Sequence, residues 1–196
     1  MKIIGLCGGS GSGKSVVGAE FQKRGFIVID TDKVYRNLTE NKSHCLDALV
    51  CEFGGEILTP FGTLDRAKLR DVVFSDKEKL SLLNEITHKF ILAEVRDIIS
   101  KSVSLGVRGA VVDAPLLYES GFDKECHVVV AVTASRDLRI SRIMKRDNIS
   151  KEQAILRINS QMSDEELSQK ADYVITNNGE ILDVGEQVAK IVSQVI

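Results

Sequence analysis

Gly8-Gly9-Ser10-Gly11-Ser12-Gly13-Lys14-Ser15 follows the pattern Gly, any four residues, Gly-Lys-Ser, and its neighbours on both sides decide what it means. Phosphate oxygens need several donors converging on one concavity, and glycines let successive backbone N–H groups turn inward without a Cβ clash. Before the loop, residues 2–7 read Lys-Ile-Ile-Gly-Leu-Cys, a short apolar run bounded by glycines. That is the pattern of a strand buried on both faces. After the loop, residues 14–24 read as a helix stopped by Gly25. Strand, glycine loop and helix form the context in which this motif binds phosphate, because the helix start adds free N–H groups and the positive end of its dipole. In that setting Lys14 reaches the β and γ phosphates of ATP, and the Ser15 hydroxyl ligates Mg2+. Gly9, Gly11, Ser12 and Gly13 are expected to supply the rest of the phosphate cradle.

Further along the chain, Phe26-Ile-Val-Ile-Asp30 is a second apolar run, and strand, helix, strand implies a parallel pair. Residues 31–105 are mainly helical in pattern, with apolar residues at three and four spacing in 46–53, 64–74 and 80–99. A loop at 54–63 with Pro60 and Gly62 interrupts them. Two β-rich runs follow at 108–113 and 127–133, and a short one at 173–176, with a charged helical stretch at 136–170 before the last. Five apolar strands joined by helices predict an α/β protein of the P-loop NTPase type. Its sheet is five-stranded, doubly wound and parallel, with a helical insertion of ~70 residues after strand two. The insertion carries too much structure to be a loop. Ligands of such sheets sit beyond the carboxyl ends of the strands. Asp30, Asp32, Asp113, Thr133, Asn177 and the glycine loop all fall at such ends, so one crevice is expected to gather them.

With 196 residues the chain suits a single domain that buries a core without disulfides or a structural metal. Twenty-six basic and 28 acidic residues, with a sequence pI near 6.0, create no global field to hold nucleic acid or a membrane surface. Neither is expected as a partner. The apolar stretch at the N-terminus is too short for a signal peptide or a membrane span, so a cytoplasmic protein is expected. Cys7, Cys45, Cys51 and Cys126 are scattered, with no Cys-x-x-Cys pair and no His at zinc spacing, and read as free thiols. A phosphate loop by itself does not separate kinases from GTPases, motor ATPases or nucleotide-binding regulators. Asn41-Lys42 continues as Ser43-His44, unlike the Asn-Lys-x-Asp that reads guanine. The chain is short for a large ATPase, and Asp113 is followed by Ala114-Pro115 where those enzymes carry an acidic pair. A small-molecule kinase fits best.

Asp30-Thr31-Asp32 closes strand two. One carboxylate caps the next helix and the other orients or deprotonates an acceptor hydroxyl; a purely capping role for Asp32 stays open. Asp113 closes strand three, either as the acid that holds Mg2+ or as a turn residue before Pro115. In the predicted helix 136–147, Ile140, Ile143 and Met144 share one face while Arg139, Arg142 and Arg146 recur on another. That basic stripe is either solvated or a clamp on transferring phosphate. His44 and His127 read as ordinary surface or strand-edge residues, and His88 as a plain position in an amphipathic helix.

These and further marks make the chain similar to the dephospho-CoA kinases nearly end to end. They are residues 5–15, Val28-Ile-Asp-Thr-Asp32, Gly62-Thr-Leu-Asp-Arg66, Pro115-Leu-Leu-Tyr-Glu119, Arg157-Ile-x-x-Gln161 and Ala171-Asp-Tyr-Val-Ile-Thr-Asn-Asn178. The resemblance implies transfer of the γ-phosphoryl group of ATP to the ribose 3'-hydroxyl of dephospho-CoA, the last step of CoA synthesis, with Mg2+. It implies one kinase domain with its core at 1–32, 106–138 and 171–196, an acceptor-binding insertion at 33–105 and a lid at 139–165. By match of motif, Asp32 is the base, Arg142 and Arg146 are lid arginines that contact ATP, and Asn177 lies near adenine. Asp65, Arg66, His88, Leu116 and Glu119 line the acceptor side. Val16, where the family commonly has Thr, joins the ATP contacts; Ser10 replaces an apolar residue, and Lys89 stands where His-Pro is usual. Two rivals remain open, another nucleoside or nucleotide kinase and a P-loop module that senses ATP without chemistry. Acceptor choice separates the first from the leading reading, and acceptor-dependent release of ADP separates an enzyme from the second. The contacts of the pantetheine arm and the oligomeric state have no short motif to record them.

Overall fold

Lys2–Cys7 forms β1, whose last four residues are buried. That follows from its place at the centre of a five-stranded sheet of order β2-β3-β1-β4-β5, with β2 at Phe26–Asp30, β3 at Gly109–Asp113, β4 at Val128–Thr133 and β5 at Tyr173–Thr176. The computed structural model describes residues 1–73, 76–179 and 181–195. β1 pairs in parallel with β3 on one side and β4 on the other, and β4 pairs in parallel with β5. Parallel strands need crossovers, and covering helices leave both faces apolar. The expected strands are all present, and only β3 and β4 begin one residue later than the sequence pattern suggested. Strand order reverses at β1, which opens a crevice at its carboxyl end, where the glycine loop begins.

The contacts of the chain divide it into two units, residues 1–29 with 102–196, and residues 30–101. In the first, α1 (Lys14–Gln22) ends two residues before Arg24, and Gly25 turns the chain with φ 86°, the left-handed conformation that glycine adopts without strain. α9 (Ile181–Val195) lays Val184, Val188, Ile191, Val192 and Val195 on a core of Ile4, Leu6, Val17, Phe21, Val111, Val130 and Ile175. The charged stretch 136–170 resolves into α6 (Arg136–Asp147), α7 (Lys151–Asn159) and α8 (Asp164–Lys170). Asn148 breaks the run in a left-handed conformation. Ser150 with Gln153 and Ser163 with Glu166 form capping boxes that start the next two helices. Ile140, Ile143, Ala154 and Ile158 join α6 and α7 through a small core of their own.

The second unit is helical: α2 (Thr31–Glu40), α3 (His44–Phe53), α4 (Arg66–Val73) and α5 (Lys77–Val103), with a 3-10 turn at Gly55–Ile57. Cys45, Leu46, Leu49, Phe53, Ile57, Leu64, Leu69 and Val73 make its core. The helical pattern expected over 64–74 begins only at Arg66, because Asp65 caps it, and Phe74 lies outside the described residues.

Candidate active site

The loop between β1 and α1 is held carbonyl by carbonyl, from its own residues and from other elements. Gly8 O accepts from Lys14 Nζ at 3.0 Å, and Gly9 O from Ser12 N–H at 3.1 Å. Ser10 O accepts from Arg139 Nε at 2.9 Å, Gly11 O from Arg142 Nη1 at 3.1 Å, and Ser12 O from Asn177 Nδ2 at 2.9 Å. Gly13 O accepts from Val16 N–H at 3.0 Å. Backbone polar groups away from water need partners, so six satisfied carbonyls fix which way each peptide faces. The first turn of α1 offers N–H groups with no intrahelical acceptor, at the positive end of the helix dipole. Gly13 sits at that start with φ 92°, and a Cβ there would lie 2.0 Å from Asn177 Nδ2. A larger residue would displace the donor that holds Ser12.

Inside the site, Lys14 Nζ lies 3.8 Å from Asp113 Oδ1. Asp113 ends β3, and the β1–β3 register sets it opposite Leu6, one residue before the strand's end. Asp113 and the exposed hydroxyl of Ser15 are hard oxygen donors, and no group of three or more metal-ligating side chains exists among the described residues. Mg2+ asks for this: one or two protein oxygens, with substrate phosphates and water completing the shell. Cys7 sits at the same strand end, but burial pushes its thiol up to about 12 even with Lys14 nearby, so it is no nucleophile at neutral pH. Leu116 and Glu119 follow on the turn after β3, both exposed. Lys170 lies 5.1 Å over the ring of Tyr118, which stands between Leu117 and Glu119 in the sequence.

The basic stripe of α6 divides by position. Arg142 reaches the loop and also donates through Nη2 to Asn177 O at 3.1 Å. Arg146, one turn on, has a side chain 59% exposed and pairs with Asp147 at 2.8 Å. Arg157 donates to the same carboxylate. The Arg146 hydrogen bond, followed by both arginine charges, pulls the Asp147 carboxyl down to about 2. Arg139, by contrast, is buried against the loop and pairs with Asp164 at 2.6 Å. Arg139 and Gln161, which accepts from Ser10 N–H at 2.8 Å, were not picked out for the loop by sequence reasoning. The three-residue spacing to Arg142 was the one available signal for Arg139.

In the second unit the carboxylates at the start of α2 separate. Asp30 is the cap, accepting from Lys33 N–H at 3.1 Å, while Asp32 is exposed in the first turn. Asp65 caps α4 through Ala67 N–H at 3.1 Å and Lys68 N–H at 3.2 Å. Arg66 donates to Thr39 Oγ1 at 3.2 Å and lies 5.3 Å over the ring of Tyr35. Burial raises the Tyr35 phenol, with the Arg66 charge opposing. His88 is half-buried on α5.

The sequence model of the family described as dephospho-CoA kinase matches residues 2–183. A dephospho-CoA kinase of Fusobacterium nucleatum is 39% identical over 188 residues, which cover 96% of this chain and 95% of that protein. Among solved structures, TT1252 from Thermus thermophilus aligns with a TM-score of 0.83 at 31% identity, covering 100% of this chain and 98% of that one. The dephospho-CoA kinase from Campylobacter jejuni aligns with a TM-score of 0.71 at 27% identity, again covering 100% and 98%. A held phosphate loop at the switch point of a parallel sheet and a family match over nearly the whole length agree, and the chain belongs to the dephospho-CoA kinase family.

Proposed function

We propose that this chain transfers the γ-phosphoryl group of ATP to the ribose 3'-hydroxyl of dephospho-CoA, releasing CoA and ADP, the reaction of the family to which it belongs. The observation that carries the reading at residue level is the glycine loop, whose carbonyls at Ser10, Gly11 and Ser12 are held by Arg139, Arg142 and Asn177. Gly9, Gly11, Ser12, Gly13, Lys14 and Ser15 then hold the phosphates, with Val16, Asn177, Arg142 and Arg146 completing the contacts to ATP. Ser15 and Asp113 would hold Mg2+, which when bound neutralises charge on the phosphate oxygens. Lys14 stabilises charge on the transferring group, and Arg142 adds a second cation beside the loop. Asp32 orients the acceptor and takes its proton, a role its freedom from capping supports. Asp65, Arg66, His88, Leu116 and Glu119 are proposed for the acceptor. The partners are small molecules and the place of work is the cytoplasm; no helix among the described residues is long and apolar enough to cross a membrane.

Incubation with Mg-ATP and, separately, dephospho-CoA, adenosine, nucleoside monophosphates and shikimate tests the reading through ADP release. Only dephospho-CoA is expected to drive it well above background. Equal turnover of another acceptor, or ADP release independent of any acceptor, would overturn the proposal.

A further inference from the structure

An arginine that is 4% exposed persists in a fold only with its charge and donors engaged. Arg139 gives Nε to Ser10 O at 2.9 Å and Nη1 to Asp164 Oδ1 at 2.6 Å. Its Nη2 is buried without a hydrogen-bond partner among the described residues, and lies where a Cβ on Gly9 would be 2.1 Å away. The guanidinium is planar, so two bonds to separate acceptors fix its plane, which a lysine ammonium cannot do. Gln161, three residues before Asp164, takes the Ser10 N–H at 2.8 Å. Both backbone polar groups of one loop residue are therefore held by side chains 129 and 151 positions away in the chain. The backbone of Arg139 itself closes on Gly11, where a Cβ would lie 2.6 Å from the Arg139 carbonyl oxygen. Asp164 balances the arginine charge, so what Arg139 brings to the loop is orientation.

We infer that Arg139, aligned by Asp164, is a positioning residue for phosphate transfer: it sets the peptide on the carboxyl side of Ser10 so that the loop presents its N–H groups to the phosphates of ATP, and it ties that setting to residues 161–164. The inference rests on the glycine loop being the ATP site proposed above. Its test is read first on ATP alone, so a wrong acceptor would leave it standing or fallen on its own.

Arg139→Lys keeps a cation beside Asp164 and loses the second, oriented bond to Ser10. Calorimetry with Mg-ATP is expected to show Kd weakened about tenfold, the order that a charge-assisted hydrogen bond supports. kcat/KM for ATP should fall by a similar or larger factor, with KM for dephospho-CoA unchanged and the thermal midpoint within a few degrees of wild type. Asp164→Asn, which retains an acceptor but not the charge, should show the same pattern more weakly. The double variant should lose less than the sum of the two, since they act through one contact. Wild-type Kd and kcat/KM for ATP in folded Arg139→Lys would reduce Arg139 to a packing residue and reject the inference. If Arg139→Lys fails to fold, Asp164→Asn decides on the same readouts: unchanged ATP parameters reject the role, and an ATP-only loss supports it.

Discussion

Asp30 and Asp32 stand two residues apart with the same chemistry, and backbone geometry gives them different work. Asp30 is extended at φ −87°, ψ 109°, the conformation of an N-cap, and its carboxylate holds Lys33 N–H. Asp32 already lies within the helix, where its charge favours the dipole but closes no cap. Asp30→Ala should therefore cost about 1 kcal/mol in a denaturant melt and leave kcat near wild type. Asp32→Asn should leave stability within about 0.5 kcal/mol and lower kcat with dephospho-CoA by about two orders of magnitude, with ATP affinity retained. A folded Asp32→Asn protein of normal kcat would show that Asp32 is not the base. Both acids were visible in the sequence as candidates. Which one caps was not, because the helix start moves by one residue with the local φ and ψ, and residue type does not record that.

At the scale of elements, α6 shows how far a pattern carries. The spacing of Arg139, Arg142 and Arg146 was legible and so was the helix itself. Their separate fates were not, because burial of Arg139 requires Asp164 from α8, and Arg146 is held by Asp147 at the helix end. The single stretch at 136–170 became three helices for reasons written locally, in Asn148 and two serine capping boxes. α9 carries no motif that marks it in the sequence, although its valines repeat at helical spacing. Arg142 spans two acceptors, Gly11 O and Asn177 O. Arg142→Ala should then raise KM for ATP several-fold as well as lowering kcat, since a ground-state scaffold is lost together with a cation. Steady-state kinetics at varied ATP checks this; an unchanged KM beside a reduced kcat would make Arg142 a contact of the transition state alone.

For the whole molecule, strand positions were legible because parallel strands buried on both faces read as continuous apolar runs. Their order β2-β3-β1-β4-β5 was not, since pairing depends on register between distant segments. The same burial governs the thiols. Cys7 and Cys126 are pushed up to about 12 and Cys45 to about 11, chiefly by burial, while Cys51 is exposed. A thiol reagent at pH 8 should modify one cysteine rapidly in the native protein and all four in denaturant. Fast native reaction of Cys7 would contradict the burial of β1's end. Because these thiols hold their protons in the folded state and release them near 9 when unfolded, they favour folding below about pH 9, and that contribution declines as pH rises toward their folded values. Transfer to one hydroxyl is tested by offering the enzyme Mg-ATP with dephospho-CoA or its 3'-deoxy analogue while ADP and thiol-bearing product are followed together. ADP and CoA are expected one for one from dephospho-CoA, with the analogue inert as a substrate and competitive as an inhibitor. Phosphorylation of the 3'-deoxy analogue at a comparable rate would contradict transfer to that hydroxyl.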